Sequence, residues 1–179
     1  MKYVFAVLFA LFAATASAQP FEYALNADES RVGFTWFFGS DPINGRMPVS
    51  EADIVIDFSR VSNSRVDVTL DLNGVEACFP FASGALKAQI ILWADRFPTL
   101  RFVSQRVVQD GTGARITGDL TMRGETRPVV LGATIFRKQG AALGERDELA
   151  IRMTGSVSRS AFGASAWANE IGDEARLDI

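Results

Sequence analysis

GDLTMRGETRPVVLGATIF, Gly118 to Phe136, sets two alternating runs around the interruption Arg-Gly-Glu-Thr-Arg-Pro. Leu120 and Met122 lead into it, and Val129, Leu131, Ala133 and Ile135 follow at every second position, so each run places its apolar residues on one face of an extended chain. The interruption could be an active-site loop, a phosphate grip or a turn between two strands. Between two such runs it reads best as a hairpin connection. Gly124 supplies backbone freedom, and Pro128 sits near the start of the second strand, where a ladder donor can be spared.

The same period recurs along the chain. Val32, Phe34, Trp36 and Phe38 share one face; Ile54, Ile56 and Phe58 alternate with Asp53, Val55 and Asp57; Val66, Val68, Leu70 and Leu72 alternate with Arg65, Asp67, Thr69 and Asp71. Leu100 and Phe102 continue it, as do Ile116, Leu149, Ile151, Met153 and Val157, and Ala175 to Ile179 forms a last run. With a first strand at Phe21 to Asn26 this makes about eight or nine segments, the number and spacing of an antiparallel barrel or sandwich.

One segment breaks the period. Leu86, Ile90, Trp93 and Phe97 recur at steps of three and four, which predicts a short helical insertion around residues 83–96 with Ser83 as its N-cap. Such a helix would cap a barrel mouth or cover a sandwich edge. Gly111-Thr112-Gly113 reads as a turn and Gly140 to Asp147 as a longer polar loop. Neither is followed by a P-loop lysine or set in a βαβ unit.

At the N-terminus, Lys2 precedes an apolar run from Val4 to Ala14 and then Ala16-Ser17-Ala18, the A-x-A form of a signal-peptidase site. The run is shorter than the roughly 20 residues that cross a bilayer, so residues 1–18 are expected to be a cleaved export signal and residues 19–179 one mature domain with no membrane span. A net charge of −3 and the lack of any basic run exclude nucleic acid as the expected partner. Cys78 is the only cysteine, so no intramolecular disulfide forms; with Val75, Phe79 and Phe81 nearby it reads as a small buried hydrophobe.

The chain has no histidine. That removes Ser-His-Asp and Cys-His sites, the commonest metal ligand and the usual base near neutral pH. Asp53, Asp57, Asp67, Asp71, Asp119 and Asp178 fall out of phase with the apolar residues and read as a solvated exterior. The acidic clusters Glu145 to Glu148 and Glu170 to Glu174 lack the ligand spacing of a calcium loop. The expectation is no catalytic residue, no metal and no cofactor. Apolar interior remains: the chain has 14 Phe and 3 Trp and is 48% hydrophobic. In a barrel of about eight strands such an inner face either fills with its own side chains or surrounds one elongated ligand. For a hollow barrel the expected liners are Phe34, Trp36, Phe58, Val68, Leu70, Phe102, Leu120, Met122, Leu131, Ile135, Ile151 and Met153, with Leu86, Ile90 and Trp93 from the helical segment.

Gly118-Asp119-Leu120-Thr121-Met122-Arg123-Gly124-Glu125-Thr126-Arg127-Pro128-Val129 resembles the G-x-LT-x-x-G-x-T-[KR]-P-V signature of the YceI-like, polyisoprenoid-binding family. Phe97-Pro98-x-Leu100-x-Phe102-x-Ser104, Arg159-Ser160-x-Phe162-Gly163, and Tyr23-x-Leu25 with Ser30-x-Val32-x-Phe34 match in the family's order. The resemblance implies a lipocalin-like antiparallel β-barrel, exported to the bacterial periplasm, enclosing an isoprenoid chain such as that of a quinone or polyprenyl lipid. It departs from the family at three usually polar places. Phe37 to Asp41 stands where many members carry histidine, Ala82-Ser83-Gly84 where they carry Arg-Asp, and Ala161 where they carry aspartate. The expected function is therefore lipid binding, with a homodimer allowed. The alternatives are a structural or stress-related interaction protein with a filled barrel and an exposed aromatic patch around Trp167, and, third, an enzyme on an apolar substrate.

Overall fold

The computed structural model describes residues 19–138, 140–142 and 144–179; the proposed signal, residues 1–18, lies outside them. The described chain is a curled antiparallel sheet of eleven strands in the spatial order β1-β4-β5-β7-β8-β9-β10-β11-β2-β3-β6. In sequence these are β1 (Phe21–Tyr23), β2 (Val32–Phe38), β3 (Asp41–Met47), β4 (Val49–Ile56), β5 (Arg65–Asp71), β6 (Glu76–Ala77), β7 (Thr99–Asp110), β8 (Gly113–Met122), β9 (Glu125–Arg137), β10 (Leu149–Ser158) and β11 (Glu174–Asp178), with one helix, α1 (Pro80–Lys87).

The two ends of this order meet through the chain itself. β3 and β4 are one run bent at Pro48, which has no backbone N–H to give a ladder. Before the bend Met47 pairs with Val32 of β2; after it Val49 pairs with Leu70 of β5. The Pro48 carbonyl still accepts the Asp71 N–H at 3.1 Å. The bent run is thus a stave shared by both margins, and the eight staves are β2, β3/β4, β5, β7, β8, β9, β10 and β11. Where the bend opens the ladder, the short strands cover the exposed edges: β1 pairs with β4 and β6 with β3. Eleven strands replace the expected eight or nine because of this bend and these patches. The first is also shorter than Phe21 to Asn26, ending at Tyr23.

The alternation decides which way each stave faces. Val32, Phe34 and Trp36 are buried, as are Val66 and Leu70, Leu100 and Phe102, Ile116, Leu120 and Met122, and Val129, Leu131 and Ala133. At Gly118 only glycine fits, since an added Cβ would lie 2.5 Å from the Phe102 ring, which folds over that bare backbone. The hairpin between β8 and β9 has Met122 opposite Glu125, leaving Arg123 and Gly124 as a two-residue loop. Both have positive φ, 55° and 79°, the requirement of a type I′ turn. Pro128 lies beyond the last β9–β10 pair, Leu131 with Gly155, where a missing donor is tolerated.

The helix differs from its sequence prediction. It starts at Pro80, not Ser83, with Phe79 as N-cap and no side-chain cap. Proline at the first helical position loses nothing, because that N–H has no intrahelical partner. The Ser83 hydroxyl instead accepts the Ala77 N–H at 2.9 Å, tying α1 to β6. The helix stops at Lys87, and residues 88–97 fold back through turns, with the Leu92 N–H on Leu86 O and the Ala94 N–H on Lys87 O, both at 3.0 Å. Trp93 adopts φ 53°, so the helical phase that linked Leu86 to Ile90 and Trp93 is lost, and Ile91, Leu92 and Ala94 become the buried residues.

Cys78 also departs from expectation: it is exposed. It follows β6, and its N–H bonds the Asn44 carbonyl at 2.9 Å; this placement leaves its side chain, with Phe79 and Phe81, on the outside.

Candidate functional site: a cavity along the barrel axis

The curled sheet encloses a cavity of about 890 Å³ with a predominantly apolar wall. That is near the top of the range of about 300–1,000 Å³ for small-molecule sites. Phe34, Trp36, Phe58, Val68, Leu70, Leu86, Phe102, Leu120, Met122, Leu131, Ile135, Ile151 and Met153 all line it. Ile90 and Trp93 do not. Ile90 is exposed, and Trp93 packs edge-on against Phe97 at 5.7 Å under the Arg96 guanidinium. Ile91 and Leu92 take their place on the wall, for the reason just given. The helical reading chose the wrong members of this segment because turns, not a helix, carry it.

The floor is the end where β5, β8 and β10 finish and where α1 and residues 88–97 lie. Two arginines of the recognised motifs hold it. Arg123, in the β8–β9 hairpin, donates through Nη1 to the carbonyls of Gln89 at 2.6 Å and Ile91 at 2.7 Å. Arg159 is only 6% exposed. Its Nε donates to Gly172 O at 3.0 Å, its Nη2 to Ile171 O at 2.9 Å, and its Nη1 to the carbonyls of Ala166, at 2.8 Å, and Ala164. Nearby, Asp173 accepts from Ser158, and the Ser158 hydroxyl leads the contacts that hold this carboxyl below its ordinary range.

The mouth is the opposite end, lined by residues 23–26, by Glu29 and Arg31, and by Arg137, Lys138 and Arg146 to Glu148. The connection between β9 and β10 brings Arg146 to Glu148 to its rim. Its base is closed by the Lys138–Glu148 ion pair at 2.8 Å. The Arg146 guanidinium lies over the Phe58 ring at 4.2 Å and the Phe21 ring at 5.5 Å, while the Tyr23 hydroxyl donates to the Arg146 carbonyl at 2.9 Å. Burial, above all, raises the Tyr23 pKa.

Asp57 corrects the reading of the aspartates as a solvated exterior: it is buried and lines the cavity. Its Oδ1 accepts the N–H groups of Ser59 and Arg60, and its Oδ2 the Asn63 amide, so it ties together the segment that leads from β4 into the 3₁₀ turn Val61–Asn63. The Arg60 N–H, then the Asn63 amide, hold its carboxyl below the usual carboxylate range. A carboxylate held low by donors makes a poor general base at neutral pH. Among the described residues no group of three or more His, Cys, Asp or Glu could hold a metal ion, and no helix is long and apolar enough to cross a membrane. The positions where the family usually carries polar residues also stay outside: Phe38 and Ala161 are exposed, and Ser83 is bound to β6.

A YceI-like domain matches residues 23–179. The chain belongs to the YceI-like family. It is 32% identical over 90 residues to a UPF0312 protein of Shewanella denitrificans, covering 50% of this chain and 47% of that one. It is 29% identical over 105 residues to a UPF0312 protein of Pseudomonas aeruginosa, covering 59% and 52%. The chain therefore spans about half the length of the curated relatives it matches. Among solved structures, BcnA of Burkholderia cenocepacia superimposes with a TM-score of 0.76 at 16% identity, over 87% of this chain and 96% of that one. The YceI protein of Campylobacter jejuni gives 0.60 at 25% identity, over 75% and 80%, and a polyisoprenoid binding domain from Saccharophagus degradans gives 0.54 at 11%, over 86% and 92%. In this chain Arg159, the first residue of the Arg159 to Gly163 element, clasps the floor through backbone carbonyls.

Proposed function

We propose that this YceI-like chain is an exported binding protein that holds one long apolar lipid, an isoprenoid such as a quinone or polyprenyl chain, inside its barrel, and that it works in the bacterial periplasm. The observation that carries this is the apolar cavity of about 890 Å³ running from the Leu86 and Leu92 floor to the Phe58 and Arg146 mouth. Sharing a fold with a polyisoprenoid binding domain supports the ligand class. The Ala16-Ser17-Ala18 site supports export.

The energetics need no catalytic group. Burying a methylene contributes about 0.8 kcal/mol, so each five-carbon isoprenoid unit contributes roughly 3–4 kcal/mol before the cost of ordering it. A few units give tight binding without any specific polar contact. The lack of histidine, and an Asp57 carboxylate already engaged by three donors, favour binding over catalysis.

Protein purified from the periplasm, extracted with organic solvent and analysed by mass spectrometry, is expected to release an isoprenoid lipid in near-stoichiometric amount. Recovery of no lipid, together with no displacement of a fluorescent apolar probe by added polyprenyl lipids, would sink the reading.

A further inference from the structure

The outer side of the floor presents apolar side chains to water. Phe81, on α1, is 91% exposed, Phe79 just before the helix 57%, and Ile90 shortly after it 45%. The inner side of the same segment meets the cavity through Leu86, Ile91 and Leu92, so one layer of chain carries apolar residues on both faces. That layer is held from within. Arg123 donates to the carbonyls of Gln89 and Ile91, and the Ser83 hydroxyl ties α1 to β6. The outer side chains thus stand on a fixed platform, and covering them costs little ordering of the backbone. An exposed apolar patch of this kind marks a surface that meets another body.

Size and charge say what that body is. Covering the three side chains removes on the order of 400 Å² from water, about half of the roughly 800 Å² per partner of a stable protein interface. A bilayer needs no matching surface and takes up a few aromatic and aliphatic side chains at its headgroup boundary. The cations around the patch are Lys87, whose Nζ donates to the Asn73 carbonyl, Arg96, which lies over the Trp93 and Phe97 rings, and Arg123. The carboxylates there are Asp71, Asp95, and Glu76 and Glu125, the last two paired with Arg46 at 2.6 Å and Arg127 at 3.0 Å. The balance leaves this face net positive in a chain of net charge −3, which favours an anionic surface. Phe38 and Trp167, exposed at the same end, sit beside Asp41 and Glu170 and fall outside the face.

We infer that the barrel docks by its closed end on an anionic lipid bilayer, with Phe79, Phe81 and Ile90 inserted at the headgroup boundary and Lys87 and Arg96 among the phosphates. The mouth, at the opposite end, stays clear of the membrane. This goes beyond the lipid-binding reading and stands independently of it, since none of the three inserted side chains lines the cavity.

The test is co-sedimentation of the protein with vesicles of phosphatidylethanolamine and phosphatidylglycerol, beside vesicles of phosphatidylcholine alone. Wild type is expected to bind the anionic vesicles more tightly, and Phe81→Ser to bind them about tenfold more weakly. Phe136→Ser, which changes a half-exposed aromatic on β9 outside this face, is expected to leave vesicle binding as it was. No binding by wild type, equal binding to both kinds of vesicle, or equal losses in the two variants overturns the inference. So does a dimer in light scattering that Phe81→Ser dissociates, which would assign the patch to a second copy. Displacement of a fluorescent apolar probe by polyprenyl lipids, without vesicles, is expected to be the same in wild type and Phe81→Ser, so a failure of docking and a failure of lipid binding are read separately.

Discussion

The floor and the mouth of the barrel use arginine in opposite ways. At the floor, Arg123 and Arg159 direct their guanidinium groups onto backbone carbonyls of the segments that close the barrel. At the mouth, Arg146 sits over the Phe58 ring and beside that of Phe21 and leaves its Nε unpartnered. Charge-assisted bonds to fixed carbonyls are directional and hold one geometry. A cation on an aromatic face is weaker and tolerates sliding, about 0.5–1 kcal/mol where water is near. The floor contacts are therefore the more rigid and the mouth contact the more easily displaced.

The harshest way to break that contrast is Arg159→Leu. It strips donors from the Gly172, Ile171, Ala166 and Ala164 carbonyls at once and is expected to destabilise the fold by about 3 kcal/mol or more, read as a lower urea midpoint. Arg123→Ala is milder, since the residue is half-buried: we expect a loss of about 2 kcal/mol and faster amide exchange confined to residues 88–97. Arg146→Ala is expected to change stability by only about 0.5–1 kcal/mol yet speed release of a fluorescent lipid in stopped flow. Equal stability losses at Arg146 and Arg123 would erase the distinction.

The smallest effect is a pH dependence that both ends share. Asp57 at the mouth and Asp173 at the floor both have carboxyl pKa values lowered in the fold. A depressed carboxylate contributes stability above its unfolded value, near 3.9, and loses it as pH falls through the folded value. Acid titration below about pH 4 is therefore expected to weaken the fold, and Asp173→Asn to flatten that dependence in a denaturation series; an unchanged slope would count against it.

Much of the barrel was legible in the chain because period-two alternation is a local signal: one buried face fixes which side chains of Val66 to Leu72 or Ile116 to Met122 point inward. The wall from Phe34 to Met153 follows from it directly. The capping segment was not legible, since Leu86, Ile90 and Trp93 satisfy a helical period whether or not a helix continues. The turns that follow Lys87 are held by the Arg123 clasp on Gln89 and Ile91, and the segment's exit by the Leu72 N–H on the Pro98 carbonyl, both from residues distant in the chain. Asp57 was misread for a related reason. Alternation places it outward, but the chain after Ile56 turns back on it and supplies three donors.

By itself the sequence determined an all-β antiparallel sheet with one apolar face, its family, and that no histidine is present, because residue type and period are properties of the chain alone. The tertiary structure decided that the sheet closes through the bend at Pro48, that the interior stays hollow, and that Arg123 and Arg159 bind the floor while Arg146 rests on the mouth. These depend on which distant segments meet, and a donor reveals its partner only once the carbonyls of another segment have been folded against it.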